Sequence, residues 1–520
     1  MNIVGNRTLR SVLEHQARTK PDKTFLIYED AQERVETLTY GEFDHVVNRA
    51  ANMLLALGVK KGDKFNLHLS NCPEFLYLWL GGAKIGAVMV PTNPVSTADE
   101  MEYILTHSES VLSVTQPDCL GLLQEVRTRC PNLRKLIACR TDQAPKDTLL
   151  LYELLQRASP ELGPSDLTCQ DEAGMIYTSG TTARPKGVLM THANYIYVGE
   201  VASKSLRLSP EDRHLVVLPL FHGNAQYYST MSALVIGASM ALMERFSASR
   251  YFEQARRHGC TVASLFAAPM RMLLAQPENP EDRDHNLRLV IFAQNLTEAQ
   301  YTEWDRRFGA PLCQIYGMTE VPLPMANPLD YSRKNTAIGM PTLGYDARVV
   351  DEEGQELPPG TPGQLIVRGQ PGWGLMKGYF KNPQATAETI RDGWLWTGDN
   401  VSMDEDGYFH FVDRAKDMIK RSGENVAASE VERVINMHPK VFDSAVIGVP
   451  DPVRDEAVAA LVILKDGEAA TPEDIIEWCR GRLTKFKVPE YVEFRESFPR
   501  TSVGKVQKHI LRREGLRGSS

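Results

Sequence analysis

The stretch from Tyr177 to Val188, which reads YTSGTTARPKGV, is dense in groups that bind phosphate. Hydroxyls and closely spaced backbone N–H groups hold phosphate oxygens, and Lys186 adds a positive charge to the same loop. A run of this composition is often only a surface turn. The spacing differs from a G-x-x-x-x-G-K-[ST] loop, because Pro185 and Gly187 replace the second glycine and the magnesium-binding hydroxyl. The stretch is therefore either an ordinary turn or a phosphate loop of another kind.

Three further stretches carry side chains that suit a nucleotide. QIYGMTE offers Tyr316 as a flat face for a base and Glu320 as a carboxylate for Mg²⁺. WLWTGDN contains Asp399, and Arg414 follows in FVDRAKDMIKRSGENV, so a carboxylate and a guanidinium are available for ribose hydroxyls. PRTSVGKVQKHIL presents Lys505 after a Ser-Val-Gly turn. Taken alone, each of these residues is equally well explained as a turn residue or a solvated charge.

The elements that must position these residues alternate between strands and helices. Residues 8–22 and 43–58 carry apolar groups at helical spacing, and apolar runs such as FNLHLS, VLSVTQ and KLIACR separate further amphipathic helices. This alternation indicates βαβ units on a mostly parallel sheet. From about Ile338, alternating strands with turn signals indicate a small antiparallel β unit, and after Arg414 the elements become short and mixed.

We therefore predict an α/β protein with two domains. The large N-terminal domain, residues 1–413, would contain stacked parallel-type α/β sheets plus the small β unit. Residues 414–520 would form a small α+β C-terminal domain. A chain of 520 residues is long enough for this division.

Composition and net charge argue against several classes of binding partner and site. The net charge of −8 argues against nucleic acid, which demands clustered Lys and Arg. Eight scattered cysteines without a CxxC pair argue against a zinc site or a disulfide framework and favour a reducing compartment. The N-terminus shows no secretory signal, and the apolar tract from Phe75 to Pro91 is interrupted by Lys84 and falls short of a membrane span. We expect a cytoplasmic protein with no transmembrane segment.

Together, the order and spacing of the motifs resemble the adenylate-forming superfamily, which includes AMP-forming acyl-CoA synthetases, peptide-synthetase adenylation domains and beetle luciferases. YTSGTTARPKG resembles its phosphate loop, YGMTE its adenine and Mg²⁺ motif, TGD with DRAKD its ribose and hinge motifs, and PRTSVGK its catalytic-lysine motif. The resemblance covers nearly the whole chain. The stretches GDKFNLHLSNCPEFLYLWLGGAKIGAVMVPTN and KRSGENVAASEVE are most similar to the crotonobetaine/carnitine-CoA ligase group.

The resemblance implies an ATP-dependent, AMP-forming acyl-CoA ligase. A carboxylate would attack the α-phosphate of ATP to give an acyl-adenylate and pyrophosphate, and the thiolate of coenzyme A would then displace AMP. The implied cofactors are ATP, Mg²⁺ and coenzyme A, and the implied partner is a small-molecule carboxylate. The C-terminal domain would be mobile and rotate between the two steps about a hinge near Lys416. The oligomeric state stays open, with a homodimer as one expectation.

The resemblance also implies roles for individual residues. Glu320 would hold the metal ion. The nucleotide would be bound by residues from the phosphate loop, the segment before Leu296, the adenine motif and the ribose motif: Thr178, Ser179, Gly180, Thr181, Thr182, Lys186, Ala293, Gln294, Asn295, Tyr316, Gly317, Met318, Thr319, Asp399 and Arg414. The catalytic residues would be Lys505, His222, Lys420 and Gly423. The acyl pocket would be lined by His222, Asn224, Gln226, Tyr227, Leu296 and Met318.

Lys505 would bridge the carboxylate and the α-phosphate in the first step. Gly423 would then lie beside the pantetheine tunnel, where a missing side chain leaves room for the thiol, and Lys420 would support thioester formation. His222 would gate the carboxylate and the thiol, although a buried, hydrogen-bonded histidine explains it equally well without the resemblance. Asn224 is neutral at a place where an acid would help to bind a quaternary ammonium, so a mostly apolar or mixed carboxylate is predicted.

The chain departs from the family pattern at two places. Ala183 stands where a glycine is usual, and FAQNL replaces a small GGAP-like segment, so Gln294 and Asn295 are bulkier than the residues that normally lie against adenine. Three alternatives follow. The chain could be a ligase that is weak in adenylation and acts on a preformed acyl-adenylate, an enzyme that loads a carrier protein, or a non-catalytic nucleotide-binding protein. Retention of Lys505 argues against the last of these, since a binding module has no need of that lysine.

Overall fold

The computed structural model describes residues 2–143, 145–178, 184–294, 296–329, 333–414, 417–421, 424–451, 455–500 and 506–516. The fold is mixed α/β, as predicted. Its helices are α1 (Leu9–Thr19), α2 (Tyr40–Ala56), α3 (Pro73–Lys84), α4 (Ala98–Ser108), α5 (Pro117–Arg127), α6 (Leu151–Arg157), α7 (His192–Ser205), α8 (Ser232–Ile236), α9 (Tyr251–Arg257), α10 (Ala267–Leu274), α11 (Glu298–Arg307), α12 (Pro383–Thr389), α13 (Ala428–Asn436), α14 (Pro472–Arg480) and α15 (Lys508–Glu514), with a π-helix at Ala225–Met231 and a 3₁₀ turn at Lys485–Lys487.

The strands fall along the whole chain and are numbered in chain order. They are β1 (Thr24–Glu29), β2 (Val35–Thr39), β3 (Lys64–His68), β4 (Val88–Pro91), β5 (Leu112–Thr115), β6 (Lys135–Ala138), β7 (Leu149–Leu150), β8 (Glu172–Thr178), β9 (Lys186–Thr191), β10 (Arg213–Val216), β11 (Ser239–Met243), β12 (Val262–Phe266), β13 (Leu289–Ala293), β14 (Leu312–Met318), β15 (Val321–Ala326), β16 (Met340–Pro341), β17 (Asp346–Val350), β18 (Gly363–Arg368), β19 (Gly378–Tyr379), β20 (Ile390–Arg391), β21 (Trp394–Met403), β22 (Phe409–Arg414), β23 (Met418–Arg421), β24 (Glu424–Ala427), β25 (Val441–Asp451), β26 (Asp455–Leu464) and β27 (Tyr491–Phe494).

Two large sheets carry the first part of the chain. One has the strand order β19-β9-β8-β4-β3-β5-β6-β7, and the other has the order β16-β15-β14-β13-β12-β10-β11-β1-β2. Their interiors are parallel, as in the pairs β3–β5, β5–β6, β10–β11 and β12–β13. Antiparallel pairs such as β8–β9 and β14–β15 lie toward one end of each sheet. The predicted parallel α/β architecture is therefore confirmed, and each sheet also carries an antiparallel hairpin.

Helix α3 explains the long apolar tract that the sequence shows between Phe75 and Pro91. Every residue of α3 is buried, so this largely apolar helix is a core helix. Gly82 faces the ring of Phe65 on β3, where a Cβ atom would come within 2.4 Å of the ring. The Nζ of Lys84 is bound by Asp44 and Asn48 at 2.5 and 2.7 Å, which satisfies its buried charge. Within the described ranges, no helix is long and apolar enough to cross a membrane.

The small β unit is antiparallel, as predicted, with β17-β18-β21-β20 in order and β22 paired to β21. A further sheet, β24-β23-β26-β25 with β27 on β26, carries helices α13 and α14. The main hydrophobic cluster contains residues from Val4 to Phe409. Residues from Ile419 to Leu511 form separate clusters that share no member with it.

Capping residues define several helix starts. Helices α1, α2, α4, α7, α11 and α14 each follow a threonine. The threonine hydroxyl accepts the backbone N–H of the third helical residue, and the side chain of that residue accepts the threonine N–H. These paired bonds satisfy backbone donors that the first turn of a helix would leave open. They fix where α7, which directly follows the β8–β9 hairpin in sequence, begins, and they fix the start of α4.

Buried neutral histidines predict acid sensitivity of the fold. Burial lowers the pKa of His192 to about 4. Its Nδ1 accepts the backbone N–H of Leu9 at 3.2 Å, so this nitrogen must stay unprotonated. The unfolded chain, with a histidine pKa of ~6.5, binds more protons between pH 6.5 and 4, and stability is therefore lost as the pH falls through that window. We expect the unfolding temperature to fall by several degrees across it.

His192→Asn retains an acceptor for Leu9 but removes the titrating group. Its unfolding temperature, measured by calorimetry from pH 8 to pH 4.5, should fall less steeply than that of the wild type. Substitution of the exposed His45 by Gln serves as the control and should leave the slope unchanged. Equal slopes in the wild type and His192→Asn would contradict the prediction.

Candidate active site

The predicted phosphate loop lies in sequence between β8 and β9, which pair as an antiparallel hairpin. Thr178 at the end of β8 is the register partner of Lys186 at the start of β9. The backbone therefore holds these two predicted nucleotide-binding residues side by side. The predicted residues Ser179, Gly180, Thr181 and Thr182 lie outside the described residues, as does Ala183.

Tyr379 connects this hairpin to the predicted metal ligand. The Nζ of Lys186 lies 4.2 Å from the centroid of the Tyr379 ring. The hydroxyl of Tyr379 donates to Oε1 of Glu320 at 2.9 Å. Burial and the neighbouring Glu320 raise the pKa of Tyr379, so its hydroxyl keeps the proton that it donates. A cation and a carboxylate from distant parts of the chain thus meet on one neutral side chain.

Glu320 occupies a two-residue turn together with Thr319. The flanking residues Met318 and Val321 are register partners on β14 and β15, so the turn is tight. Glu320 is only 5% exposed, and its carbonyl oxygen accepts the N–H of Met376 at 2.8 Å. In the part of the chain that the structure describes, no group of three or more His, Cys, Asp or Glu side chains forms a metal cage. A single carboxylate fits Mg²⁺, which usually takes one or two protein oxygens and completes its shell with water and phosphate.

The predicted adenine and ribose residues meet through a hydrogen bond. The hydroxyl of Tyr316 on β14 donates to Oδ2 of Asp399 on β21 at 2.7 Å. Asp399 is the register partner of Arg414 on β22, so the backbone places these two predicted ribose residues opposite each other. Gly317, next to Tyr316, leaves no room for a side chain, because a Cβ would lie 2.5 Å from the hydroxyl of Tyr228. The side chain of Arg414 lies outside the described part of the structure.

The FAQNL segment leaves β13 at the predicted place. Ala293 ends the strand and is half-buried, and Leu296 is buried. Gln294 is exposed and has a φ of 75°, in the left-handed region where glycine is favoured. The backbone therefore has the conformation that a glycine would adopt without strain, although the side chain is large. Asn295 lies outside the described residues.

His222 and Asn224 precede a π-helix, Ala225–Met231, a rare element that is frequent at functional sites. The backbone N–H of Asn224 donates to Nδ1 of His222 at 3.3 Å, so this ring nitrogen is an acceptor. The hydroxyl of Ser264 on β12 donates to Oδ1 of Asn224 at 2.8 Å. Sequence reasoning did not identify Ser264, because nothing in its local pattern distinguishes it from other strand residues.

The next two predicted pocket residues, Gln226 and Tyr227, differ in the hydrogen bonds of their side chains. Gln226 is fully buried; its Oε1 accepts from Tyr195 at 2.9 Å and its Nε2 donates to the carbonyl of Leu220 at 2.7 Å. Both ends of its amide therefore bond within the fold, and its role as a pocket residue stays a prediction. Tyr227 is 2% exposed, and its hydroxyl has no hydrogen-bond partner among the described residues. Tyr228, which follows it, is also buried.

The predicted C-terminal catalytic residues are only partly described. Lys420 is exposed on β23, and its backbone N–H donates to Oε2 of Glu456 at 2.7 Å. Lys505, Gly423 and the hinge residue Lys416 lie outside the described ranges. The structure therefore places Lys186 and Glu320 against the same tyrosine and joins Tyr316 to Asp399, and the roles of the C-terminal residues stay predictions.

Comparison with known proteins shows the family of the chain. The AMP-binding enzyme family matches residues 13–380, and the AMP-binding enzyme C-terminal domain matches residues 430–505. A crotonobetaine/carnitine–CoA ligase of Salmonella heidelberg (strain SL476) is 38% identical over 518 residues, which cover 98% of this chain and all of the relative.

Solved structures of CoA ligases have the same fold. The anthranilate CoA ligase AuaEII in complex with anthranoyl-AMP superposes with a TM-score of 0.90 at 26% identity, over 98% of this chain and 97% of the other. ATP-bound MatB from Rhodopseudomonas palustris superposes with a TM-score of 0.88 at 29% identity, over 98% and 99% of the two chains. The chain belongs to the AMP-binding enzyme family, as an AMP-forming acyl-CoA ligase.

Proposed function

We propose that this ligase activates a small carboxylic acid of mixed polarity, with ATP bound between the β8–β9 hairpin, the turn at Glu320 and the β21–β22 ladder. The observation that carries the proposal is the contact of Tyr379 with both Lys186 and Glu320. A phosphate chain needs a cation and a metal ligand at a fixed spacing, and this one side chain fixes both.

In the first half-reaction, a carboxylate oxygen of the acid attacks the α-phosphorus of ATP. A new oxygen–phosphorus bond forms, the bond between the α-phosphorus and the bridging oxygen breaks, and pyrophosphate leaves. Lys186 and Thr178 hold the departing phosphates, and Lys505 bridges the carboxylate and the α-phosphate. Glu320 would hold Mg²⁺, which neutralises phosphate charge when it is bound. Asp399, fixed by Tyr316, holds the ribose together with Arg414.

In the second half-reaction, the thiolate of coenzyme A attacks the acyl carbonyl carbon and AMP leaves with the carbon–oxygen bond electrons. We propose that residues 414–520 turn as a domain between the steps and bring Lys420 and Gly423 to the site. The separate hydrophobic clusters of the C-terminal residues support this division. His222 accepts a backbone N–H at Nδ1, which leaves its proton on Nε2.

The proposed acid class rests on the acyl pocket. Ser264 engages Oδ1 of Asn224, so the Asn224 side chain presents its N–H donors to a ligand. Amide N–H groups donate to a hydroxyl or carbonyl oxygen on the acyl chain. They carry no negative charge that would attract a quaternary ammonium. The tyrosine rings at 227 and 228 add aromatic surface, which accepts either an apolar group or a cation. The relatives named for crotonobetaine and carnitine make those two acids part of the test.

Two attributes of the protein remain proposals. A cytoplasmic location is supported by eight buried cysteines, all present as free thiols. A homodimer is the proposed assembly, and its mass by light scattering would decide it.

The activity is tested with a panel of acids. The protein is incubated with ATP, Mg²⁺, coenzyme A and crotonobetaine, carnitine, or hydroxylated and plain C4 to C8 acids, while pyrophosphate and acyl-CoA are followed. We expect pyrophosphate and a thioester with at least one acid, and highest turnover with an acid of mixed polarity. Parallel arms replace acid plus ATP by a synthetic acyl-adenylate, and coenzyme A by a carrier-bound phosphopantetheine. A thioester only from the adenylate would show that adenylation is weak, and no thioester in any arm would contradict the assignment.

Lys505→Ala separates the half-reactions. We expect it to reduce pyrophosphate release from acid plus ATP by at least about a hundredfold, because a charge at the transition state is lost. Thioester formation from a synthetic acyl-adenylate should change less than about threefold, since Lys505 is needed only in the first step. Lys485→Ala is the control, because Lys485 is exposed. Lys508→Ala is unsuitable, because Lys508 forms an ion pair with Glu432. Equal losses in both steps would argue against domain alternation.

Asn224→Asp tests the acid class. A carboxylate at this position should raise kcat/KM for carnitine relative to an uncharged acid of equal length by about tenfold, since it adds an attraction to the ammonium of ~1–2 kcal/mol. Asn224→Leu should shift the preference toward plain aliphatic acids. Both ratios are measured by competition between two acids in one reaction. An unchanged ratio in both variants would exclude Asn224 from the acyl pocket.

A further inference from the structure

Helix α4, Ala98–Ser108, carries no residue of the predicted motifs, yet it lies against both strands of the phosphate-loop hairpin. Two of its residues, Tyr103 and His107, are four positions apart and therefore lie on one face of the helix. Their rings stack, with centroids 5.4 Å apart and an angle of 27° between planes. Both side chains are half-buried, and each reaches a different end of the loop.

Tyr103 holds the side of the loop that leads into β9. Its hydroxyl donates to the backbone carbonyl of Pro185 at 2.8 Å. The guanidinium of Arg184 lies 5.1 Å from the Tyr103 ring centroid. These two residues directly precede Lys186, so a bond to Pro185 restrains the backbone that carries the phosphate-binding lysine.

His107 holds the side that leaves β8. Its Nδ1 lies 2.7 Å from the hydroxyl of Tyr177, which directly precedes Thr178. Burial lowers the pKa of His107, and the neighbouring Lys381 lowers it further, so the ring is neutral at pH 7 and can accept the hydroxyl proton. The ring also meets Phe380 edge to face at 5.7 Å, beside Tyr379.

A third contact joins the same helix end to the segment after Tyr379. The Nζ of Lys381 is 2.6 Å from Oε1 of Glu109, the residue that follows α4. The backbone N–H of Phe380 donates to the carbonyl of Gly187 at 2.8 Å. Helix α4 is therefore tied to β8, to the start of β9 and to the segment that carries Tyr379, the side chain between Lys186 and Glu320.

We infer that Tyr103 and His107 are positioning residues for the nucleotide: they fix the separation and direction of the two strand ends that present Thr178 and Lys186 to the phosphates of ATP. This inference rests on the proposed role of those strand ends. If the ends of the loop are free to move, binding of ATP has to order them. This ordering lowers the affinity of the loop for the phosphates. Neither residue contacts the reacting atoms, and their effect passes through the hairpin.

The test compares Tyr103→Phe with a matched variant elsewhere. Tyr103→Phe keeps the ring and removes only the bond to Pro185. We expect the KM for ATP to rise about three- to tenfold, the value for loss of one hydrogen bond, with the KM for the acid unchanged at saturating ATP. Tyr40→Phe is the control, because the hydroxyl of the fully buried Tyr40 donates to a backbone carbonyl, that of Ala238, at 2.7 Å. That variant should lose stability without changing the KM for ATP.

His107→Phe provides a second, independent measurement, since it retains a stacking ring and removes the acceptor for Tyr177. It should also raise the KM for ATP, while thioester formation from a synthetic acyl-adenylate stays at the wild-type rate in both α4 variants. The inference is overturned if the α4 variants lower the unfolding temperature but leave the KM for ATP unchanged, or if Tyr40→Phe raises it equally. A wild-type protein that forms no thioester in any arm would refute the proposed function instead.

Discussion

The contact of one tyrosine with two opposite charges is the constraint on which the nucleotide site depends. Tyr379 presents its ring face to Lys186 and its hydroxyl to Glu320. A neutral side chain thus positions both a cation and a carboxylate. The backbone supports this position, because Tyr379 on β19 pairs with Val188 on β9 and Met376 donates to the carbonyl of Glu320. The β8–β9 hairpin, the turn at Glu320 and strand β19 are therefore linked by backbone pairing and by the side chain of Tyr379.

The sequence was sufficient for the architecture and for the residues that belong to recognisable motifs. Alternating apolar runs predicted the parallel α/β sheets, and the antiparallel unit after Ile338 was located correctly. The structure also brings Tyr316 to Asp399 across 83 positions of sequence, as the motif order implied. Tyr379, Ser264 and Tyr103 could not be predicted, because their roles depend on which strands become neighbours. No local periodicity encodes which strands pair.

Gln294 combines a glycine-like backbone conformation with a large side chain. Its φ of 75° matches what a glycine at this place would adopt, and a residue with a Cβ pays roughly 1 kcal/mol for it. The buried neighbours Phe292 and Leu296 anchor the segment on either side, which explains why the strained conformation is kept. FAQNL thus places larger side chains than a GGAP-like segment at the predicted adenine surface.

The ladder between β21 and β22 has a consequence for the order of events in the site. Asp399 and Arg414 are opposite each other in it, and Arg414 is the last residue of β22. If the proposed pivot lies in the chain beyond β22, this ladder would stay with the preceding part of the chain while the residues after the pivot change position. The AMP moiety would then stay in place through both half-reactions, and different surfaces of the C-terminal residues would reach the acyl group in turn.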